Sequence, residues 1–228
     1  MIRIFITSIF LTVAASIHPL IVQAETSYSF EFLGGTQFDI PTPLIIKQKG
    51  EETITIDWAK YKADAWTWPD SPYYAWRIGI WNNDRAWELE LIHQKIILEN
   101  KPAEVQHFEI SHGYNLININ RAWRLTQYKD VLWRIGAGAV LTHPETKIRY
   151  KSKVPSGDFP EGFYISGPTA QIAIGKRFYL WRGLFGVLEA KFTATYATHV
   201  PIANGHAEVP NAAIHGLFGL GYEFGAKR

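Results

Sequence analysis

The sequence predicts an all-β protein: an antiparallel, up-and-down transmembrane β-barrel of eight strands, with ten as the alternative count. Three observations carry this. Hydrophobic and polar residues alternate with a period of two along almost the whole chain after residue 24. The connections alternate between short turns and long segments. The bulky apolar residues share one face, while the charges and small residues share the other.

The chain has 228 residues. It opens with MIRIFITSIFLTVAASIHPLIVQA, where Arg3 gives a positive start, an apolar stretch follows, and Val22-Gln23-Ala24 fits a cleavage site. Residues 1–24 are therefore expected to be a secretory signal peptide, and 25–228 one barrel domain. Pro19 and the small-residue ending disfavour a retained anchor of ~20 apolar residues. With 0 Cys there are no disulfides, no thiol chemistry and no Cys-based zinc site. A formal net charge of +2 excludes a nucleic-acid partner driven by bulk charge.

The predicted strands are roughly 27–38, 72–81, 86–97, 104–116, 131–142, 163–178, 184–196 and 211–224. Trp81-Asn82-Asn83-Asp84-Arg85 and Tyr179-Leu180-Trp181-Arg182-Gly183 read as tight turns. Segments 39–71, 98–103, 143–162 and 197–210 read as longer connections, and 117–130 as one of medium length. This short–long alternation is that of a barrel with turns at one rim and loops at the other. Segment 39–71 alternates too and has a turn signal at Gly50. Its prolines and those that follow, at 41, 43, 69 and 72, interrupt regular pairing. It is expected to extend the first outer hairpin; counted as two wall strands, it would give ten.

The stretch AWELELIHQ, 86–94, sets the facing. Trp87, Leu89 and Leu91 fall on one side and Glu88 and Glu90 on the other. Carried through every strand, the apolar face holds Tyr28, Phe30, Phe32, Ile78, Ile80, Phe108, Ile110, Trp133, Ile135, Ile172, Ile174, Leu188, Phe192, Phe218 and Leu220. The polar face holds Glu31, Arg77, Glu88, Glu90, His107, Glu109, Ser111, Arg134, Arg177, Glu189, Lys191 and His215, along with glycines such as Gly136 and Gly221. Small residues suit a crowded interior and bulky aromatics a lipid-facing exterior, with Tyr and Trp near strand ends. The lumen charge network is expected to comprise Glu31, Arg77, Glu88, Glu90, Glu109, Arg134, Arg177, Glu189 and Lys191. Buried charges must pair, and eight strands leave room only for side chains. The expected lumen is closed.

Taken together, this pattern resembles the small bacterial outer-membrane β-barrels. HGLFGLGYEF, 215–224, is similar to the C-terminal assembly signal of that class, set back here by Gly-Ala-Lys-Arg. The resemblance implies a Gram-negative-type outer membrane. It implies contact with the lipid bilayer and lipopolysaccharide and with the outer-membrane assembly machinery, but by itself names no function. The closed, salt-bridged lumen leads to the expectation of no cofactor and of a structural or surface-interaction role. A narrow channel for small solutes is one alternative. The other is a lipid A-modifying acyl hydrolase, because THVPIANGH, 198–206, is similar in layout to the lipid A 3-O-deacylases. There His199 would be the catalytic histidine, but Pro201 stands in the serine position and Asn204 is displaced.

Two further constellations are candidates for chemistry. His107, Glu109 and Ser111 alternate on one strand and have the residue types of a Ser-His-Glu triad. Side chains two apart on a strand are ~7 Å apart, so partners would have to come from neighbouring strands. The histidines His93, His107, His143, His199, His206 and His215 gather near the loop-bearing rim, and His107 with His215 is the candidate metal pair.

Overall fold

In the first strand described, Thr26–Ile40, successive side chains point alternately into a closed interior and out of it. The computed structural model describes residues 26–63, 72–125, 127–154 and 161–225, and only the backbone of Ser111 and His112. The signal-peptide expectation for 1–24 lies outside the described residues.

The strands are β1 (Thr26–Ile40), β2 (Thr42–Gln48), β3 (Ile54–Ala59), β4 (Tyr61–Lys62), β5 (Tyr74–Asn82), β6 (Arg85–Leu98), β7 (Val105–Arg124), β8 (Val131–Thr142), β9 (Glu145–Ile148), β10 (Lys151–Lys153), β11 (Tyr164–Trp181), β12 (Leu184–Ile202) and β13 (Gly205–Phe224). Eight of them close a ring in the order β1-β5-β6-β7-β8-β11-β12-β13, and β13 pairs back onto β1. Every pairing is antiparallel. Closure leaves no unpaired edge inside a bilayer, where an orphaned backbone group would be costly.

The turn chemistry explains the short rim. Between β11 and β12 the loop is Arg182-Gly183, with φ of 40° and 91°. Two positive φ values make the primed turn that matches strand twist, and Gly183 enters it without a steric penalty. Between β5 and β6, Asn83 takes φ of 54°. Both described chain ends lie at this rim.

At the other rim the wall continues past the ring. The hairpin β2–β3 turns at Gly50 (φ 79°) and stands on β13, with β2 along Gly205–Glu208. The pair β9–β10 stands on the start of β7, and β4 on the end of β6. The described part of segment 39–71 thus supplies an outer hairpin, and the closed ring has eight strands.

Two boundaries differ most from the sequence expectation. β7 runs on through Asn118, Asn120 and Arg124, where a connection was expected from 117. β12 and β13 continue to a tight hairpin at Ala203-Asn204 instead of a long loop at 197–210. In both cases ladder hydrogen bonds satisfy backbone groups of segments whose composition alone reads as connecting.

The facing also differs at one place. Phe108 and Ile110 are buried inside, so His107 and Glu109 face outward. The reason is a reversal of polarity along the barrel axis. In the lower part Glu31, Arg77, Glu88, Glu90, Arg134, Arg177, Glu189 and Lys191 fill the interior, and Phe30, Ile78, Ile119, Ile174 and Leu220 face out. In the upper extension the interior is mostly apolar, built from Leu44, Ile46, Ile96, Leu98, Phe108, Ile110, Val200, Ile202 and Val209, above a polar layer of Gln37, Asp39, Gln94 and Asn211. Water surrounds a wall that stands clear of the bilayer, so there the bulky apolar residues turn inward, as in a soluble core.

Candidate functional site: the lumen and the outer wall

Arg77 is the hub of the lower lumen. Its Nη1 donates to Glu31 Oε2 at 2.5 Å, and its Nη2 to Glu90 Oε1 at 2.6 Å and Glu189 Oε1 at 2.8 Å. Arg134 Nε donates to Glu88 Oε2 at 2.8 Å, and its Nη1 to Glu189 Oε2 at 2.7 Å. Arg177 Nη2 donates to Glu31 Oε1 at 2.6 Å, and Lys191 Nζ donates to Glu90. Four carboxylates therefore meet four cations, and all eight side chains are 0–1% exposed. The network is neutral as a whole, which a dry interior requires.

Amides complete it. Asn120 Nδ2 donates to Glu90 Oε2 at 3.0 Å, and Gln171 Nε2 bonds Glu90 and Asn120. The glycines make the room. A Cβ at Gly136 would meet Asn120 Oδ1 at 1.9 Å, and one at Gly221 would meet the Phe185 ring at 2.4 Å.

Beneath the network Trp81 closes the floor. The guanidinium groups of Arg124 and Arg177 lie 4.6 and 4.7 Å from its ring, and Nε1 of the indole donates to Ser29 Oγ at 2.9 Å. Glu223 accepts from Arg124 Nη2 at 2.7 Å, from Tyr179 OH at 2.9 Å and from Ser27 Oγ at 2.9 Å. Sequence reasoning missed Trp81 and Glu223, which it assigned to a turn and to the assembly signal. It also missed Asn120, although the alternation Asn118-Ile119-Asn120 was a legible signal.

Glu109 does not join this network. It lies on the outer wall with His107, whose Nε2 is 3.5 Å from Glu109 Oε2 and 4.0 Å from Glu145 Oε1. The side chain of Ser111 lies outside the described residues, so the Ser-His-Glu expectation reduces to this pair. His215 is on the opposite side of the wall. Its Nδ1 meets Tyr73 OH at 2.9 Å and its Nε2 meets Thr193 Oγ1 at 2.9 Å, which occupies both ring nitrogens. The barrel wall thus separates His107 from His215, and they cannot share a metal.

His199 stands exposed near the end of β12. Its ring stacks on His206 at 5.5 Å, and its Nδ1 meets Thr198 Oγ1 at 2.7 Å. The serine beside this segment, Ser166, shares a 2.6 Å hydrogen bond with the Thr142 hydroxyl and lies within reach of the carbonyl oxygens of Tyr164 and His199 rather than of an imidazole. Glu208 is bound by Lys47 at 2.5 Å. The expected acyl-hydrolase grouping is not assembled among these described residues.

The outward surface of the lower part decides the setting. Tyr28, Phe32, Ile80, Trp87, Ile119, Ile135, Ile172, Leu188 and Phe218 all project into the surroundings around a closed, charge-filled ring. Near the short-turn rim, Trp123 stacks on Trp133 at 4.3 Å and Arg121 lies 5.1 Å from the Trp87 ring. An apolar belt, an aromatic girdle, an even strand number and short turns at one rim are the outer-membrane pattern. It is an outer-membrane β-barrel. The extension carrying β2, β3, β9 and β10 stands at the rim opposite the short turns.

No protein-family model and no curated protein matches the sequence. Among solved structures it is similar to the outer membrane protein OprG from Pseudomonas aeruginosa, at 10% identity and a TM-score of 0.49, over 89% of this chain and 98% of that one. It is similar to the outer membrane protein AlkL in lipid bilayers, at 11% identity and a TM-score of 0.43, over 90% and 92%. It is also similar to Ail of Yersinia pestis, at 11% identity and a TM-score of 0.40, over 89% and 100%. Similarity this distant bears on no activity; the membrane assignment rests on the barrel's own surface.

Proposed function

We propose that this barrel is a closed anchor, and that its working part is the β-extension it raises above the membrane. The observation that carries this is the neutral four-on-four charge network, buried above the Trp81 floor and capped by a hydrogen-bonded layer of Gln37, Asp39 and Asn211. A solute would have to break ion pairs in a low dielectric, and an unpaired charge left there is strongly unfavourable. On this reading the role is structural or one of surface interaction. The basic side chains of the extension, Lys47 and Lys151 among them, meet anionic groups of lipopolysaccharide or of a partner. The strand ending at Phe224 is the segment read by the assembly machinery.

The test is single-channel recording of the folded protein in planar bilayers. The expected trace has no unitary steps, and Arg77→Ala or Glu90→Ala admits leak currents by unpairing the network. Steady unitary conductance from the unmodified protein would favour the narrow-channel reading instead. Lipid A mass spectra from cells with and without the protein should superimpose. Loss of one acyl chain in its presence would favour the hydrolase reading.

A further inference from the structure

We propose that His107, Glu109 and Glu145 form a binding site for one divalent transition-metal ion, Zn²⁺ above all, on the outer wall above the membrane. The site is independent of whether the lumen conducts. Glu109 on β7 and Glu145 on β9 are directly opposite one another in an antiparallel ladder. Two carboxylates so placed repel, and a cross-strand like-charge pair weakens a sheet. His107, two residues before Glu109, adds an imidazole to the same face. The nearest ligand atoms of the three residues all lie within 4.8 Å of one another.

The spacing approaches that of ligands around an ion and is longer than that of well-formed hydrogen bonds. Zn–N and Zn–O bonds of ~2.0–2.2 Å at tetrahedral angles hold ligand atoms ~3.3–3.6 Å apart. Here the imidazole nitrogen stands 3.5 and 4.0 Å from one oxygen of each glutamate. That nitrogen is shielded from water and has no hydrogen-bond partner among the described residues. Two carboxylates and a neutral imidazole leave a net charge that a divalent cation cancels. An imidazole in the set favours Zn²⁺ over Ca²⁺, which takes oxygen ligands. The three side chains are partly exposed, so the fourth coordination position is open to water or to a donor from outside. Lys147 sits opposite His107 in the ladder, but its ammonium lies 6.0 Å from the Tyr150 ring centroid.

The experiment is isothermal titration of the untagged, detergent-folded full chain with ZnCl₂ at pH 7.5. The background is His199→Ala/His206→Ala, because that stacked imidazole pair could bind zinc separately. We expect one equivalent of Zn²⁺ to bind. In the same background Glu145→Gln and His107→Ala should each weaken it by roughly tenfold or more, and Ca²⁺ should not compete. Circular dichroism and the heat-modifiable band on gels verify that each variant is folded, as changes on an exposed wall should allow. No zinc binding in the background protein would overturn the proposal. So would a loss of less than tenfold in either folded variant.

Discussion

Arg77 on β5 and Glu90 on β6 are cross-strand neighbours, and Nη2 of the arginine donates to Oε1 of the glutamate at 2.6 Å in an interior closed to water. That contact links two halves of the network, because Arg77 also reaches Glu31 and Glu189 while Glu90 also holds Lys191. Removing either partner strands charge on both sides. Arg77→Met and Glu90→Met should each destabilise by about 3–5 kcal/mol. The double variant should lose less than the sum, because each change relieves the charge that the other exposes. Urea unfolding in liposomes measures this cycle, and strict additivity would mean that the two residues do not meet in solution.

The reversal of polarity along the axis makes a second test. Leu89 faces lipid in the lower part, and Leu89→Arg should cost about 2–4 kcal/mol near the bilayer midplane. Phe108 faces the dry interior of the extension, so Phe108→Ala should cost about 3–5 kcal/mol by leaving a cavity. Glu109→Gln, on the wall between water and the extension, should change stability by less than about 0.5 kcal/mol. Were Phe108→Ala neutral and Glu109→Gln severe, the lumen phase of the lower part would continue to the top of the wall.

The outer hairpins are clasped to each other by Arg149. Its Nη1 donates to Gln48 Oε1 at 2.9 Å and its Nη2 to the Glu52 carbonyl at 2.8 Å, while its own N–H donates to the Glu104 carbonyl at 2.7 Å. Arg149→Ala should release the β2–β3 hairpin without unfolding the ring. Limited trypsin digestion at Lys47 and Lys49 should then be faster, while the ring-strand core stays protected. Equal digestion rates would mean that β2 is held by β13 alone.

Acid should act on the same clasp. The hydrogen bond from Lys151 and its charge hold the Glu51 carboxyl below its ordinary 4.5, and the hydrogen bond from Lys47 does the same for Glu208. A carboxyl depressed in the folded state stabilises it above the unfolded value and loses that contribution as pH falls through the folded value. Both ties are therefore intact at pH 6 and weaken below pH 4.5. Glu51 is exposed and Glu208 partly so, and the effect is local. Hydrogen exchange at β2–β3 should accelerate between pH 6 and pH 3, beyond its intrinsic pH dependence. In Glu51→Gln/Glu208→Gln the excess should vanish; if it persists, other groups are responsible.

The sequence by itself determined the barrel, the lipid-facing set and most members of the interior network. Period-two alternation reports which residues share a face, and the sizes at Leu89, Ile174 and Gly221 report which face is crowded. Gly50 was legible as a turn because its place between two alternating runs needs positive φ. Only the tertiary structure decided that Glu109 leaves the network and that Glu145 meets it and His107. Alternation says that two faces differ, but not which medium each one touches, and that medium changes from lipid to water partway along β7. Nor could the sequence say which strands bring Arg134 to Glu189 or Arg177 to Glu31. Those contacts cross the lumen between residues more than 50 positions apart, and they exist because the ring closes at β1 and β13.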